Sequence, residues 1–360
     1  MTKLSICIPL ETGAGDHAPL IDALLADPKA NIEIVLAGPQ AAVEKTDGRI
    51  KVVVTDASLS RQSLWHTAIT AASGDWVTLV NPGDMIEPDL VQMVDYLERT
   101  SPHIDALAWT VLQIDRDAEP GKATSIAIPT RYHIDHFDKT AMLKAFFYWK
   151  GSLNVPKVPF GIHHAAIRRS VVDAILSVPA PQSWSTMVPQ YEWAAKTLIF
   201  AEELAFCSRP LSVVNTSAYV APSVFLQPSD FPFHAGLGLA GAVAEVQFHV
   251  LRELGTEWGG GGEDFVRACS IDCLLERDFE SFRQKGNGYF AALQQFENGR
   301  LAAQFRPQFA ERNPDQRRGL YDKALLIDRF VGGAQTAPEF YNVVKWMMPS
   351  VHVICDGMTQ

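Results

Sequence analysis

The chain has 360 residues, 47% of them hydrophobic and 20% charged, which excludes a disordered protein and provides for a large core. Its 31 Lys and Arg against 41 Asp and Glu give a formal net charge of −10, which excludes a general nucleic-acid binder, because neutralising a phosphate backbone takes a basic surplus. Five scattered cysteines exclude a disulfide framework.

The opening does not read as a signal peptide, since its apolar stretch is short and no small-residue cleavage site follows. Residues 4–10 read instead as a buried strand closed by proline. A helix over 18–26 comes next, stopped by Asp27-Pro28, then strands over 31–37 and 50–54. Ser58 or Ser60 caps a helix that runs to Ala72, and a strand over 75–80 emerges into Asn81-Pro82-Gly83-Asp84. A further helix spans 88–99. Strand and helix thus alternate over short connections, which predicts a mainly parallel sheet covered on both faces, with ligands at the carboxyl ends of its strands. Residues 101–225 are less regular, with helices over 165–176 and 191–200. Beyond residue 233 the period changes: Leu239, Val243, Val246, Val250 and Leu254 mark one face of an amphipathic helix. Further helices are predicted over 263–285, 287–297, 316–330 and 337–348. Gly259 to Gly262 read as a flexible helix–helix loop, with a functional hinge as the alternative. The uncharged apolar stretch at 235–244 is far short of the ~18 residues that span a bilayer. We therefore expect a soluble, cytoplasmic protein with no transmembrane segment.

Several groups of residues carry chemistry. Gly13-Ala14-Gly15-Asp16-His17-Ala18 fits a dinucleotide-binding turn, but the acid expected after the second strand is missing, and a simple glycine turn explains it as well. Asn81 and Asp84 stand at a strand's carboxyl end, where oxygen ligands suit a hard divalent cation; an ordinary turn uses the same residues. His163 and His164 are adjacent, so their side chains are expected to point apart and not to share one metal. They fit acceptor contacts or simple packing. Arg168 and Arg169 either neutralise a diphosphate or form a solvated helix face. Glu192 opens a helix, where the dipole favours an ionised carboxylate able to act as a base; capping alone is the alternative. Cys269 and Cys273, four apart, read as core.

The strand ending in Pro9, the stretch Ala72-Ser73-Gly74-Asp75-Trp76-Val77 and the turn ending in Asp84 occur in an order that resembles family-two glycosyltransferases. The resemblance covers roughly residues 3–100 clearly and 160–217 faintly. It implies an α/β, GT-A-like nucleotide-diphospho-sugar transferase domain over 1–225, followed by a helical C-terminal region over 226–360. It implies inverting transfer of a sugar from a nucleotide diphosphate donor to a hydroxyl of a glycan or lipid-linked glycan. Pro9, Leu10, Glu11, Asp56, His66 and Asn81 would line the donor cleft. Asp84 would hold Mg²⁺ or Mn²⁺, and Glu192 would be the base. The chain departs from the family pattern in having Ala37-Gly38-Pro39 after the second strand, Asn81 and Gly83 in the acidic motif, His66 where Asn is usual, and one acid at Glu192 where a pair is usual. These departures keep open a catalytically inactive relative that serves as a glycan-binding or assembly module. A nicotinamide enzyme using Gly13 and Gly15 is the third reading. Peripheral membrane contact and homo-oligomerisation through the C-terminal helices are compatible with all three.

Overall fold

Strand β1 (Leu4–Pro9) sends its side chains alternately into two core layers. Leu4, Ile6 and Ile8 enter one layer and Cys7 the other, as the two-residue period of a strand requires. This computed structural model describes residues 2–13, 15–39, 46–178, 184–217, 219–222, 230–310 and 315–357. After β1 come α1 (Ala18–Leu25), β2 (Ile32–Gly38), β3 (Ile50–Val54), α2 (Arg61–Ala71), β4 (Trp76–Leu79), β5 (Met85–Ile86), α3 (Leu90–Thr100) and β6 (Ala106–Asp115). The middle adds β7 (Ile126–Pro129), β8 (Ile134–Phe137), α4 (Lys139–Phe147), β9 (Ala165–Arg168), α5 (Arg169–Leu176), α6 (Pro189–Phe200) and β10 (Leu204–Thr216). The last part holds α7 (Leu239–Glu253), α8 (Glu263–Cys273), α9 (Phe279–Gln295), β11 (Gly319–Tyr321), β12 (Ala324–Ile327), α10 (Ala337–Val344) and α11 (Val351–Gly357).

The main sheet has nine strands in the order β3-β2-β1-β4-β9-β6-β10-β5, with β8 beside β10. β1 pairs in parallel with β2 and β4, and β2 with β3. β9 runs antiparallel between β4 and β6, while β6 and β10 are parallel. The carboxyl ends of β1, β2, β3, β4, β6 and β10 therefore share one edge. One face is covered by α1, α3, α10 and α11, the other by α2, α5, α6 and α7. Ser60 caps α2 by accepting from the Ser63 N–H, as the sequence suggested. Val243, Val246 and Val250 are buried along α7, which joins the second layer to an aromatic cluster with α8 and α9.

The C-terminal part departs from expectation in three ways. Residues 316–330, predicted helical, form the hairpin β11–β12, turned by Asp322 at φ +50° and paired with β7. Pairing with β7 decides for the strand over the predicted helix. α10 packs on β10 and β5, and α11 on α3, so the last segment belongs to the layer begun by β1. Gly260 and Gly261 are not a free linker: a Cβ on them would lie 2.6 Å from Trp258 and 2.3 Å from Phe296. Cys269 and Cys273 are buried free thiols. The expected boundary at 225 lies outside the described residues. Among those residues, no helix is long and apolar enough to cross a membrane.

Candidate functional site

All four residues of β4 are buried, and the chain leaves it through a tight turn. Asp84 N–H donates to Asn81 O at 3.1 Å, with Pro82 and Gly83 between. Gly83 has φ +83°, a conformation that disfavours a side chain. This turn carries Asp84 inward to 2% exposure. Its Oδ1 accepts from Asn215 N–H at 2.8 Å and Asn215 Nδ2 at 3.3 Å. Its Oδ2 faces His164 Nε2 at 3.2 Å and His163 Nε2 at 3.7 Å. Asn81 Nδ2 lies 2.8 Å from His163 Nε2.

The two histidines therefore converge, contrary to the expectation that neighbours point apart. His164 has φ +57°, and this left-handed backbone turns its ring back toward Asp84. His164 N–H donates to Leu79 O at 3.0 Å and Leu79 N–H to Ile162 O at 2.8 Å, which ties the loop to the end of β4. The two rings meet edge-on, 4.2 Å between centroids, and Trp65 lies 5.5 Å from His163. Burial alone would raise the Asp84 carboxyl, but the bonds from His163 and His164 hold it down at about 2. Burial and the neighbouring His164 push the His163 imidazole down to about 4. At neutral pH the group thus offers an ionised carboxylate and an uncharged imidazole. These are the donor forms a cation takes. One ligand atom from each of Asp84, His163 and His164 lies within 4.8 Å of the others, so these residues fit a divalent cation.

The other predicted residues fall into separate groups on the same edge. Pro9 ends β1 and Leu10 follows it; Leu10 N–H donates to Ala37 O at 2.7 Å. A Cβ on Gly38 would meet Leu10 O at 2.3 Å, which is why no aspartate can stand there. Glu11 makes a two-pronged pair with Arg61, at 2.6 and 3.1 Å. Asp56 is exposed and accepts from Ser58 N–H at 2.8 Å; the backbone and side-chain bonds from Ser58 lower its carboxyl. A Cβ on Gly15 would lie 3.3 Å from Pro82 O of the Asp84 turn, a tight approach that favours glycine there.

Glu192 is fully buried. Gln62 Nε2 donates to one of its oxygens at 2.7 Å and Lys196 Nζ to the other at 2.8 Å. Lys196 also faces Glu253 at 3.4 Å. His66 packs on Trp193 at 5.5 Å, and burial lowers its imidazole. Glu192 and His66 are thus neighbours across α2 and α6. Glu192 is also more than a capping acid, because its two oxygens are held by two different elements. Arg168 and Arg169 are not diphosphate ligands in this arrangement. Arg168 sits opposite Trp76, at the start of β4, where it binds Glu98 and the Ile104 and Pro102 carbonyls. Arg169 binds the Gly74 and Ala72 carbonyls.

Asn215, Gln62 and Lys196 escaped the sequence reading. Only Lys196 had a signal, its i+4 spacing from Glu192. A cavity of about 380 Å³ lies between β6, β7 and the end of β10, lined by Gln113, Asp115, Ser125, Thr216 and Arg329 among others. Thr216 is the residue after Asn215.

The sequence matches no family profile and no curated protein. Among solved structures, the fold is similar to S. aureus TarS 1–349, with TM-score 0.47 and 13% identity over 82% of this chain and 81% of that one. The same S. aureus protein in complex with UDP-GlcNAc gives TM-score 0.45 and 13% identity over 82% and 81%. A further structure of S. aureus TarS gives TM-score 0.46 and 14% identity over 83% of this chain and 50% of that chain.

Proposed function

We propose that the chain is a glycosyltransferase that takes a nucleotide-diphosphate sugar at the shared edge of β1, β3 and β4 and passes the sugar, with inversion, to a hydroxyl of a glycan or lipid-linked glycan. The observation that carries this reading is Asp84: an ionised, buried carboxylate at the carboxyl end of a parallel strand, with one oxygen fixed by Asn215 and the other turned to two imidazoles. Ligands of open parallel sheets bind at that edge.

In this reading Pro9, Leu10 and Glu11 border the nucleotide, Asp56 and His66 flank it, and Asn81 faces the diphosphate beside Asp84. Asp84, with His163 and His164 beside it, would hold a divalent cation, Mg²⁺ or Mn²⁺ in the family, which when bound would offset charge on the leaving diphosphate. Glu192 takes the acceptor proton as the hydroxyl oxygen bonds to the anomeric carbon and the carbon–diphosphate bond breaks. To do so it must give up its bond from Lys196, for which Glu253 at 3.4 Å is the second anchor. The reading carries a cytoplasmic location with it, and a peripheral approach to a membrane where the acceptor is lipid-linked.

One observation favours a second reading, a non-catalytic glycan-binding or assembly module: both Glu192 oxygens are engaged in a buried network. The deciding experiment is product formation from UDP-, GDP- and dTDP-sugars with Mn²⁺ by the wild type and Glu192→Gln. Transfer by the wild type and its loss in the variant support the first reading. Full activity in Glu192→Gln removes the base role, and no transfer together with glycan binding supports the second reading.

A further inference from the structure

We propose that Asp84, His163 and His164 together bind one first-row transition-metal ion, such as Co²⁺, Zn²⁺, Fe²⁺ or Mn²⁺, in preference to Mg²⁺. The proposal rests on the transferase reading only for what the ion would do; the ion's binding follows from the residues themselves.

Three features converge. First, the backbone is bent for it. Successive side chains in an extended segment diverge, and only the positive φ of His164 brings both Nε2 atoms to the same carboxylate oxygen. A left-handed non-glycine residue is strained and persists where the surroundings enforce it. Second, the donor atoms are already gathered. His163 Nε2 stands 2.8 Å from Asn81 Nδ2 and 3.7 Å from Asp84 Oδ2, and one ligand atom from each of Asp84, His163 and His164 lies within 4.8 Å of the others. A cation among them would take the place of the imidazole–carboxylate contacts. Third, Asn215 saturates Oδ1 and leaves Oδ2 to the imidazoles. His164 Nδ1 is buried without a hydrogen-bond partner among the described residues, so it can carry the ring proton when Nε2 is a ligand.

The donor set decides the metal. Mg²⁺ favours six oxygens in octahedral array and keeps its waters, whereas imidazole nitrogen suits borderline transition metals. Two imidazoles and one carboxylate leave open positions, which diphosphate oxygens can fill. His163 and Asn81, the partly exposed members, stand on the open side.

The test is calorimetric titration of the chelator-stripped full chain with Co²⁺ and with Mg²⁺. It is repeated in a His136→Ala background, because the exposed His103, His136 and Glu203 also lie close enough to hold an ion. We expect one Co²⁺ per chain to persist in that background and to bind about 100-fold more tightly than Mg²⁺. His163→Gln and His164→Gln should each weaken Co²⁺ by about tenfold or more, the scale on which lost metal-site interactions are felt. Equal affinity for Mg²⁺, or unchanged Co²⁺ affinity in either variant, overturns the proposal. Because His164 is buried and its variant can misfold, Mn²⁺ electron spin-echo spectra of the wild type give an independent readout. Coupling to two imidazole nitrogens is expected, and coupling to none or one overturns the proposal. Adding UDP, GDP or dTDP separates the two readings: a bound metal with no nucleotide binding sinks the transferase and leaves the metal site standing.

Discussion

Asn215 holds Asp84 with both its backbone N–H and its side-chain amide, and the same Nδ2 donates to Gly83 O at 2.6 Å. A residue at the end of β10 thus sets the orientation of a turn more than a hundred positions earlier. Asn215→Ala keeps the backbone bond and loses the other two. We expect the stabilisation by UDP plus Mn²⁺ to weaken, with apparent affinity down about tenfold, the worth of one or two hydrogen bonds to a charged group. Asp84→Asn should abolish the cation-dependent part altogether. At ligand 100-fold above Kd the wild type should gain about 2.7 kcal/mol, read as a rise in Tm.

Glu192 and Lys196 are a buried ion pair with Gln62 and Glu253 around it. Glu192→Ala leaves Lys196 only its longer contact with Glu253, at 3.4 Å, so it should destabilise the fold in urea unfolding, by less than the ~3–5 kcal/mol of a fully uncompensated buried charge. Lys196→Met leaves both Glu192 and Glu253 without their cation and should cost more than Glu192→Ala. Equal losses in the two variants would mean that Glu253 does not support Lys196.

Glu33 gives an acid-sensitive contribution. Burial would raise its carboxyl, but bonds from Ser5, the Ser73 backbone and side chain, and Lys3 outweigh it and hold it at about 2. A folded-state value below the ordinary 4.5 contributes stability above pH 4.5 that is lost as pH falls through about 2. Wild type should lose up to ~3 kcal/mol over that window through this group. Ser5→Ala should shrink the loss, as measured by urea midpoints at pH 5, 4 and 3.

Arg209 Nη2 meets Glu87 Oε2 at 2.7 Å, and the Tyr341 hydroxyl donates to the same carboxylate oxygen. Arg209 Nε also donates to Pro349 O at 2.8 Å. This buried group fastens α10 and the segment after it to the sheet. Arg209→Met strands the carboxylate and should cost about 3–5 kcal/mol. Early loss of α10 and α11 protection in hydrogen exchange would confirm the fastening role, and uniform loss across the chain would contradict it.

The first hundred residues were legible because each strand and helix there has its own punctuation: Pro9, Asp27-Pro28, Gly38-Pro39, the Ser60 cap and the Pro82-Gly83 turn. The Asp84 turn was found for the same reason. What could not be read was set by contacts between distant positions. The convergence of His163 and His164 depends on one backbone angle, and spacing alone argues against it. The hold of Lys196 and Gln62 on Glu192 depends on α2 meeting α6. The hairpin at 319–327 is decided by pairing with β7, almost two hundred positions away. Gly38 reads as a missing acid in sequence and as a steric necessity beside Leu10 in space.

The layer that β1 begins is finished by Phe340, Tyr341, Val344, Met348, Val351 and Ile354. During synthesis, the face of α3 that α11 covers must therefore wait, greasy and uncovered, until nearly the whole polypeptide has left the ribosome. Such late closure slows folding and exposes the nascent chain to aggregation. A fragment cut at 225 should consequently precipitate or call for a chaperone, even though every residue proposed to touch substrate lies within it.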